Sequence, residues 1–270
     1  MTVELRGVGY RYAGAERPSL LDIDLVLADG EVVGVAGASE AGKTTLCLVV
    51  AGIAPRTVGG RIRGSILLDG EPIDDWPMHR LGGRIGIGFQ NPSSQLSQVA
   101  GTVFEEVAFG PMNLGIERGE IVERVWSALD ALRISPLAER DPRRLSGGQQ
   151  QLVAMAGLLA MRPAHLVLDE PTAQLDPAGT DLVADAIGRL AADGASILVT
   201  EQKTDLLAAV ARRVLVLAEG RVALAGATTG VLADPRLPEL GVSEPGAVRL
   251  RRMADAAGLD PHRLEGAFDA

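Results

Sequence analysis

The chain has 270 residues, a formal net charge of −9, 47% hydrophobic residues and only 3% aromatic ones. That acidity argues against a protein that grips nucleic acid through its phosphates, which takes clusters of Lys and Arg. The length suits one large domain with a small appendage, and the apolar content suffices for a globular core built mainly from aliphatic side chains.

Along the chain, Glu4 to Tyr12, Ile23 to Leu27 and Ile66 to Leu68 read as short strands punctuated by Gly and Asp. Val32-Val33-Gly34-Val35-Ala36 is a continuous apolar run, the mark of a strand buried on both faces. It leads directly into Gly37-Ala38-Ser39-Glu40-Ala41-Gly42-Lys43-Thr44, and Thr44 to Val50 then reads as a helix. From about Val103 to Ala138 the pattern is helical with Pro, Gly and charge breaks. Further buried strands are expected at His165 to Asp169, Ala195 to Thr200 and Val214 to Ala218, with a helix at Pro177 to Ala191 between the first two. Strands alternating with helices make the core an α/β parallel sheet. Beyond Val222, Asp234-Pro235, Leu237-Pro238 and Glu244-Pro245 punctuate short helices such as Ala247 to Ala257, so residues 226–270 read as a helical extension.

A single cysteine, Cys47, cannot form an internal disulfide, which fits a reducing compartment; a buried, inert thiol is expected. Met1-Thr2-Val3-Glu4-Leu5-Arg6 lacks the basic-then-apolar order of a secretory signal. No run approaches the roughly 18 apolar residues of a membrane span. The longest, Leu152 to Met161, reads as a core helix. The expectation is a protein that touches a membrane only through a partner, from the cytoplasmic side.

Strand, glycine-rich turn and helix form the context of a P-loop, G-x-x-x-x-G-K-[ST], whose amides and lysine cradle nucleotide phosphates. Lys43 is expected on the β- and γ-phosphates and the Thr44 hydroxyl on Mg²⁺, with Gly42 allowing close approach and the helix N-terminus adding a favourable dipole. Gly37, Ala38, Ser39, Ala41 and Thr45 complete the loop. Glu40 is a carboxylate among phosphate ligands and must point to solvent. Asp169 ends the apolar strand Leu166-Val167-Leu168, so it emerges at the sheet edge as a Mg²⁺ ligand, and Glu170 beside it is placed to accept a proton from the attacking water. The turn Ser146-Gly147-Gly148-Gln149 presents a helix N-terminus and a hydroxyl suited to an anion.

With Leu145-Ser146-Gly147-Gly148-Gln149 and Leu166 to Pro171 following the P-loop in that order, the chain resembles the ATP-binding cassette ATPases of ABC transporters over roughly residues 3 to 224. The resemblance implies an α/β P-loop NTPase cassette. Its parts are a parallel-sheet core, an antiparallel β-subdomain, an α-helical signature subdomain at about 91–162, an ATPase domain at 1–225 and the helical extension. It implies ATP and Mg²⁺ as cofactors, and a head-to-tail dimer with itself or a homologue, in which Ser146 to Gln149 meet the γ-phosphate on the other subunit. It also implies the Q-loop role for Gln90, on Mg²⁺ and the attacking water, and the D-loop role for Asp176. Tyr12 lies where relatives stack an aromatic ring on adenine; a tyrosine packed within the β-subdomain is the alternative.

Relatives carry a switch histidine where this chain has Gln202, in Thr200-Glu201-Gln202-Lys203; His79, His165 and His262 lie elsewhere. Glutamine cannot become cationic, so ATP binding should survive and hydrolysis should slow, unless Gln202, Glu201 or a partner chain makes good the loss. Phe89-Gln90-Asn91-Pro92-Ser93-Ser94-Gln95-Leu96 and Val107-Ala108-Phe109-Gly110-Pro111-Met112-Asn113-Leu114-Gly115 resemble the ATPases of energy-coupling-factor importers, which take up vitamins and transition metals. That resemblance implies a transmembrane coupling protein as partner. A catalytically weak half of a heterodimer and a soluble ABC protein acting on ribosomes or DNA are the competing readings. The single cassette and acidic charge disfavour the last.

Overall fold

The computed structural model describes residues 2–257. Its first elements are β1 (Val3–Arg11), β2 (Leu20–Leu27), β3 (Val32–Gly37), α1 (Lys43–Val50), β4 (Arg61–Leu68), β5 (Glu71–Pro72), α2 (Met78–Gly82) and β6 (Ile85–Gly88). A helical stretch follows with α3 (Val103–Asn113), α4 (Arg118–Ala131) and α5 (Gly147–Met161). The chain then alternates through β7 (His165–Asp169), α6 (Pro177–Ala192), β8 (Ser196–Thr200), α7 (Thr204–Val210), β9 (Arg213–Ala218) and β10 (Arg221–Ala227). It closes with α8 (Thr228–Leu232) and α9 (Gly246–Ala256).

One sheet is antiparallel in the order β2-β1-β4-β5; the other has the order β10-β9-β3-β8-β7-β6. In the larger sheet β9, β3, β8, β7 and β6 run parallel and β10 closes one edge antiparallel. Its central strands are buried on both faces, which is why they read as unbroken apolar runs. Leu166, Leu168, Ile197, Val199, Val214 and Val216 join a core with the helices α3 to α8. Val33, Val35, Val167, Leu198, Leu215 and Leu217 face the other way, onto α1 and the antiparallel sheet. Side chains alternating along each strand thus hold one layer of helices and one layer of sheet to the same parallel core.

Where helix ends had to be satisfied, the sequence supplies the caps. Thr102 and Glu105 form a reciprocal capping box at α3, and Ser146 with Gln149 forms another at α5. The Asp176 carboxylate accepts from the Gly179 amide to start α6.

Three elements differ from the sequence reading. β4 begins at Arg61 rather than near Ile66, because its first half keeps Arg61 and Arg63 in water and lacks the apolar cluster. β6 is a strand of four residues, two of them glycine, too short and too weakly apolar to show a period. β10 crosses residues 225 and 226, where the extension was drawn, and pairs with β9 from Arg221↔Ala218 to Ala227↔Arg213. Val231, Leu232, Leu237 and Val242 then pack into the helical-side core. The Thr204 hydroxyl donates to the Ser243 carbonyl at 2.7 Å and the Asp205 carboxylate accepts from the Gly246 amide at 2.7 Å. His262 lies outside the described residues.

Cys47 is buried as expected, and desolvation, aided by the charge of Asp169, pushes its thiol well above the ordinary value. His165, at the start of β7, is fully buried with Nδ1 3.1 Å from the Ser196 hydroxyl and Nε2 3.9 Å from Asp69. Burial pushes its pKa below the usual 6.5, and the Asp69 carboxylate opposes that only in part. The unfolded chain therefore takes up a proton that the folded chain resists, so stability present above about 6.5 is lost as pH falls below it. Thermal melts between about pH 7.5 and pH 5.5 should show this decline, and His165→Gln should flatten it; equal slopes in the two proteins would refute the assignment.

Candidate active site

The C-terminal ends of the parallel strands meet at one edge of the sheet, the place where open α/β sheets bind ligands. The register aligns them: Val35 pairs with Thr200, Thr200 with Asp169, Gly37 with Leu217 and Gly88 with Leu168. The loops that leave β3, β6, β7 and β8 carry the P-loop, Gln90, Glu170 and Gln202 respectively. Ser39, Glu40, Gly42, Lys43, Thr44, Thr45, Gln90, Glu170 and Gln202 line a single cavity of about 980 Å³.

Lys43 is 5% exposed and fully engaged. Its Nζ donates to the carbonyl oxygens of Gly37 (2.9 Å) and Ala38 (3.1 Å) and lies 3.4 Å from Glu170 Oε1. Gln90 Nε2 donates to the other oxygen, Glu170 Oε2, at 2.7 Å. Glu170 itself sits at φ +48°, a left-handed backbone that aims its side chain back across the strand ends. Asp169 lies behind it, 3% exposed, with Oδ1 accepting from the Thr200 hydroxyl at 2.7 Å.

The P-loop is shaped from outside by a turn that the sequence reading passed over. Glu219-Gly220 joins β9 to β10; the Gly220 amide donates to the Ala41 carbonyl (3.1 Å) and its carbonyl accepts from Leu21 (2.8 Å). Gly42 at φ +108° and Gly220 at φ +75° both press on the Ser19 carbonyl, where a Cβ would come to 2.8 and 2.6 Å. Arg17, Pro18, Ser19, Leu21, Glu219 and Gly220 therefore line the cavity as well. The Glu-Gly pair between two apolar runs was the available signal for this turn.

The remaining sequence candidates fall into three places. Glu40 lines the Lys43 cavity, yet it is exposed, with φ +65°. Tyr12 is half-buried outside the cavity, packed edge-on against Tyr10 with centroids 4.9 Å apart, and its hydroxyl is 3.2 Å from the Thr45 hydroxyl. Ser146 and Gly147 are exposed; neither they nor Gly148, Gln149 or Asp176 line the Lys43 cavity. A Cβ on Gly147 would come to 2.4 Å from Gln174 Oε1, so the segment leading into Asp176 abuts the Ser146 turn.

A second, smaller cavity of about 310 Å³ opens beside the Gln90 loop, between α3, α5 and β6, and includes Gln95, Phe109 and Met161. The Gln95 side chain accepts from the Phe89 amide (3.0 Å) and donates to the Ala154 carbonyl (3.4 Å). Glu106 holds Ser97 through its amide (2.6 Å) and hydroxyl (2.7 Å). Phe109, Met112 and Leu114 are exposed on α3 and just past its end.

A resident metal cage is absent among the described residues, where no three His, Cys, Asp or Glu groups converge. The Thr44 hydroxyl and the Asp169 carboxylate are hard oxygen donors, the kind that suits Mg²⁺ when phosphate and water supply the other ligands.

The profile of the ABC transporter family matches residues 20–173. The chain belongs to the ABC transporter ATP-binding family. It is 38% identical to a putative ABC transporter ATP-binding protein of Pyrococcus horikoshii, covering 95% of this chain and 90% of that one. It is 35% identical to the energy-coupling factor transporter ATP-binding protein EcfA of Enterococcus faecium, covering 96% and 91%. Among solved structures, cbiO1 of Clostridium perfringens, described as part of the ABC transporter complex cbiONQ, superposes with a TM-score of 0.77 at 31% identity, covering 95% and 98%. The energy-coupling-factor resemblance thus holds. This ABC ATPase binds and hydrolyses ATP as a transporter subunit, in a family whose members work as dimers with transmembrane components.

Gly220→Ala should strain the turn against the P-loop by about 1–3 kcal/mol. The expected result is a lower Tm together with weaker ATP binding by calorimetry. Unchanged values for both would show that the turn does not shape the loop.

Proposed function

We propose that the chain is the ATP-hydrolysing subunit of an energy-coupling-factor-type importer that takes up a small solute such as a vitamin or a transition-metal ion. It acts at the cytoplasmic face of the membrane, held there by a transmembrane coupling protein; among the described residues no helix is long and apolar enough to cross a membrane. The observation that carries the reading is the convergence of Lys43, Gln90 and Glu170 on one cavity, while the exposed Ser146 turn stays outside it.

ATP entering the cavity offers Lys43 phosphate oxygens in place of the Gly37 and Ala38 carbonyls and the Glu170 carboxylate. That exchange frees Glu170 to take the proton of the attacking water. Thr44, Asp169 and Gln90 are the residues that would hold Mg²⁺, which would supply positive charge against the phosphates. The Gly37 to Thr45 amides cradle the phosphates, and Tyr12, joined to Thr45, borders the base. The second protomer, identical or homologous, brings its Ser146 to Gln149 turn and its Asp176 loop onto the triphosphate, so each site is completed in trans. The apolar cavity beside the Gln90 loop, with exposed Phe109, Met112 and Leu114, receives the coupling protein.

Glu170→Gln keeps an acceptor near Lys43, whose two carbonyl partners remain, and removes the base. It should bind ATP normally and lose turnover by about a hundredfold or more. With ATP it should sediment as a dimer, and adding Ser146→Arg should return it to monomer without loss of nucleotide binding per chain. Dimerisation untouched by that change would overturn the sandwich.

A second reading is favoured by one observation: Gln202 lines the cavity, and neither His79 nor His165 does. On that reading the chain is the slow half of a heterodimer. Gln202→His should then raise the turnover of the isolated chain several-fold. Turnover already at the level of histidine-bearing relatives, unmoved by the change, would remove it.

A further inference from the structure

Next to Gln202 stands a carboxylate that the proposed mechanism leaves idle. Glu201 is 2% exposed, and Oε1 accepts two hydrogen bonds from one residue, the Thr172 amide (3.1 Å) and the Thr172 hydroxyl (2.7 Å). Among the described residues no cation pairs with it. Burial, with the charge of Glu170 adding to it, pushes its pKa above the ordinary carboxylate value, and the Thr172 bonds only partly offset this. An acid kept in such surroundings costs stability that an apolar side chain of the same size would not.

The position of Thr172 explains what the carboxylate holds. It lies two residues past Glu170, on the far side of Pro171, in a turn closed by the Ala173 amide donating to the Glu170 carbonyl (3.2 Å). Glu170 carries a left-handed backbone, φ +48°, a conformation that costs about 1–3 kcal/mol in a non-glycine residue and persists only where neighbours fix it. Before the residue, the Glu170 amide is fixed by the Thr200 carbonyl (3.0 Å) and hydroxyl (3.2 Å). After it, Glu201 fixes Thr172. The Glu201 amide in turn donates to the Val35 carbonyl of β3 (3.1 Å), the strand that feeds the P-loop. One residue therefore ties the P-loop strand, the Glu170 turn and the Gln202 segment together.

We infer that Glu201 is a positioning residue for hydrolysis: by clamping Thr172 it fixes the turn that aims Glu170, and it couples that turn to the segment bearing Gln202. This rests on Glu170 being the general base. Because the clamp needs an acceptor and not a charge, an amide oxygen at the same place serves as well. A misaimed base costs rate and leaves nucleotide affinity intact, since no phosphate contact involves Glu201 or Thr172.

The test is steady-state ATP turnover of the full chain. Glu201→Ala should lower kcat about tenfold or more with KM for ATP within about twofold, and Glu201→Gln should keep at least about half of the wild-type kcat. Thr172→Val should lower kcat like Glu201→Ala, and the double variant Glu201→Ala/Thr172→Val should be no worse than the weaker single one, because both break the same clamp. If Glu201→Ala does not fold, Thr172→Ser against Thr172→Val decides, with the serine retaining rate and the valine losing it. Wild-type kcat in Glu201→Ala, a Glu201→Gln variant as slow as the alanine one, a proportionate rise in KM, or serine and valine alike would each overturn the inference. A Glu170→Gln variant run alongside separates the two levels: if it hydrolyses ATP at the wild-type rate, the base assignment fails.

Discussion

A buried ammonium sits at the centre of this molecule. Lys43 would be costly in the interior without compensation, and it has three oxygen partners, two P-loop carbonyls and Glu170. These contacts join β3 to β7 across β8 before any nucleotide is present, and Gln90 adds the β6 loop through the second Glu170 oxygen. The network is at once the fold's way of satisfying a buried charge and a replica, in protein oxygens, of what a triphosphate offers. On the proposed reading, phosphate displaces the protein's own acceptors, so ligand binding and release of the Glu170 carboxylate become one event.

That arrangement depends on register. A parallel sheet with strands buried on both faces aligns its C-terminal ends, so that Val35, Thr200 and Asp169 lie side by side and β3 runs two residues further to Gly37. Thr200 uses its position between them: its hydroxyl donates to Asp169 and accepts from the Glu170 amide. A shift of one residue in β8 would turn Ile197 and Val199 onto the wrong layer and withdraw Thr200 from both acids. Core packing and site geometry are thus fixed by the same alternation of side chains.

What the sequence disclosed follows from where its signals were strong. β3, β7, β8 and β9 were legible because burial on both faces leaves continuous apolar runs, and the P-loop because its glycines and lysine stand at fixed spacing. Lys43, Thr44, Gln90, Glu170 and Gln202 were named from motif and resemblance, and all five line the cavity. β6 and the first half of β4 escaped, one for its glycines and one for its wet face. The Gly220 turn and the Glu201–Thr172 clamp escaped for a different reason. They are contacts between segments 29 or more residues apart, made by residue types common in loops; the Glu219-Gly220 pair signals a turn, but nothing local announces what that turn or Glu201 touches. Tyr12, expected from the resemblance to stack on adenine, packs its ring on Tyr10 and brings its hydroxyl to 3.2 Å from that of Thr45.

The loop after β6 shows how an event at the phosphates could leave the site. Four residues separate two glutamines with opposite duties. Gln90 reads the Glu170 carboxylate; Gln95 is fastened to the Phe89 amide and to the Ala154 carbonyl of α5. The helix that Gln95 touches begins at Ser146, the turn proposed to meet the opposite protomer's nucleotide. It also walls the apolar cavity that holds Phe109 and Met161. The Gln90–Glu170 bond therefore holds one end of a loop whose other end is anchored to the helix proposed to carry the trans contact. On the proposed reading, the chain's own site, its neighbour's site and the membrane partner all pull on α5. A helix of 15 residues, buried at more than half of its positions, is a rigid element of the kind that can carry coupling between sites. The coupling needs no long pathway, because the three surfaces share one element.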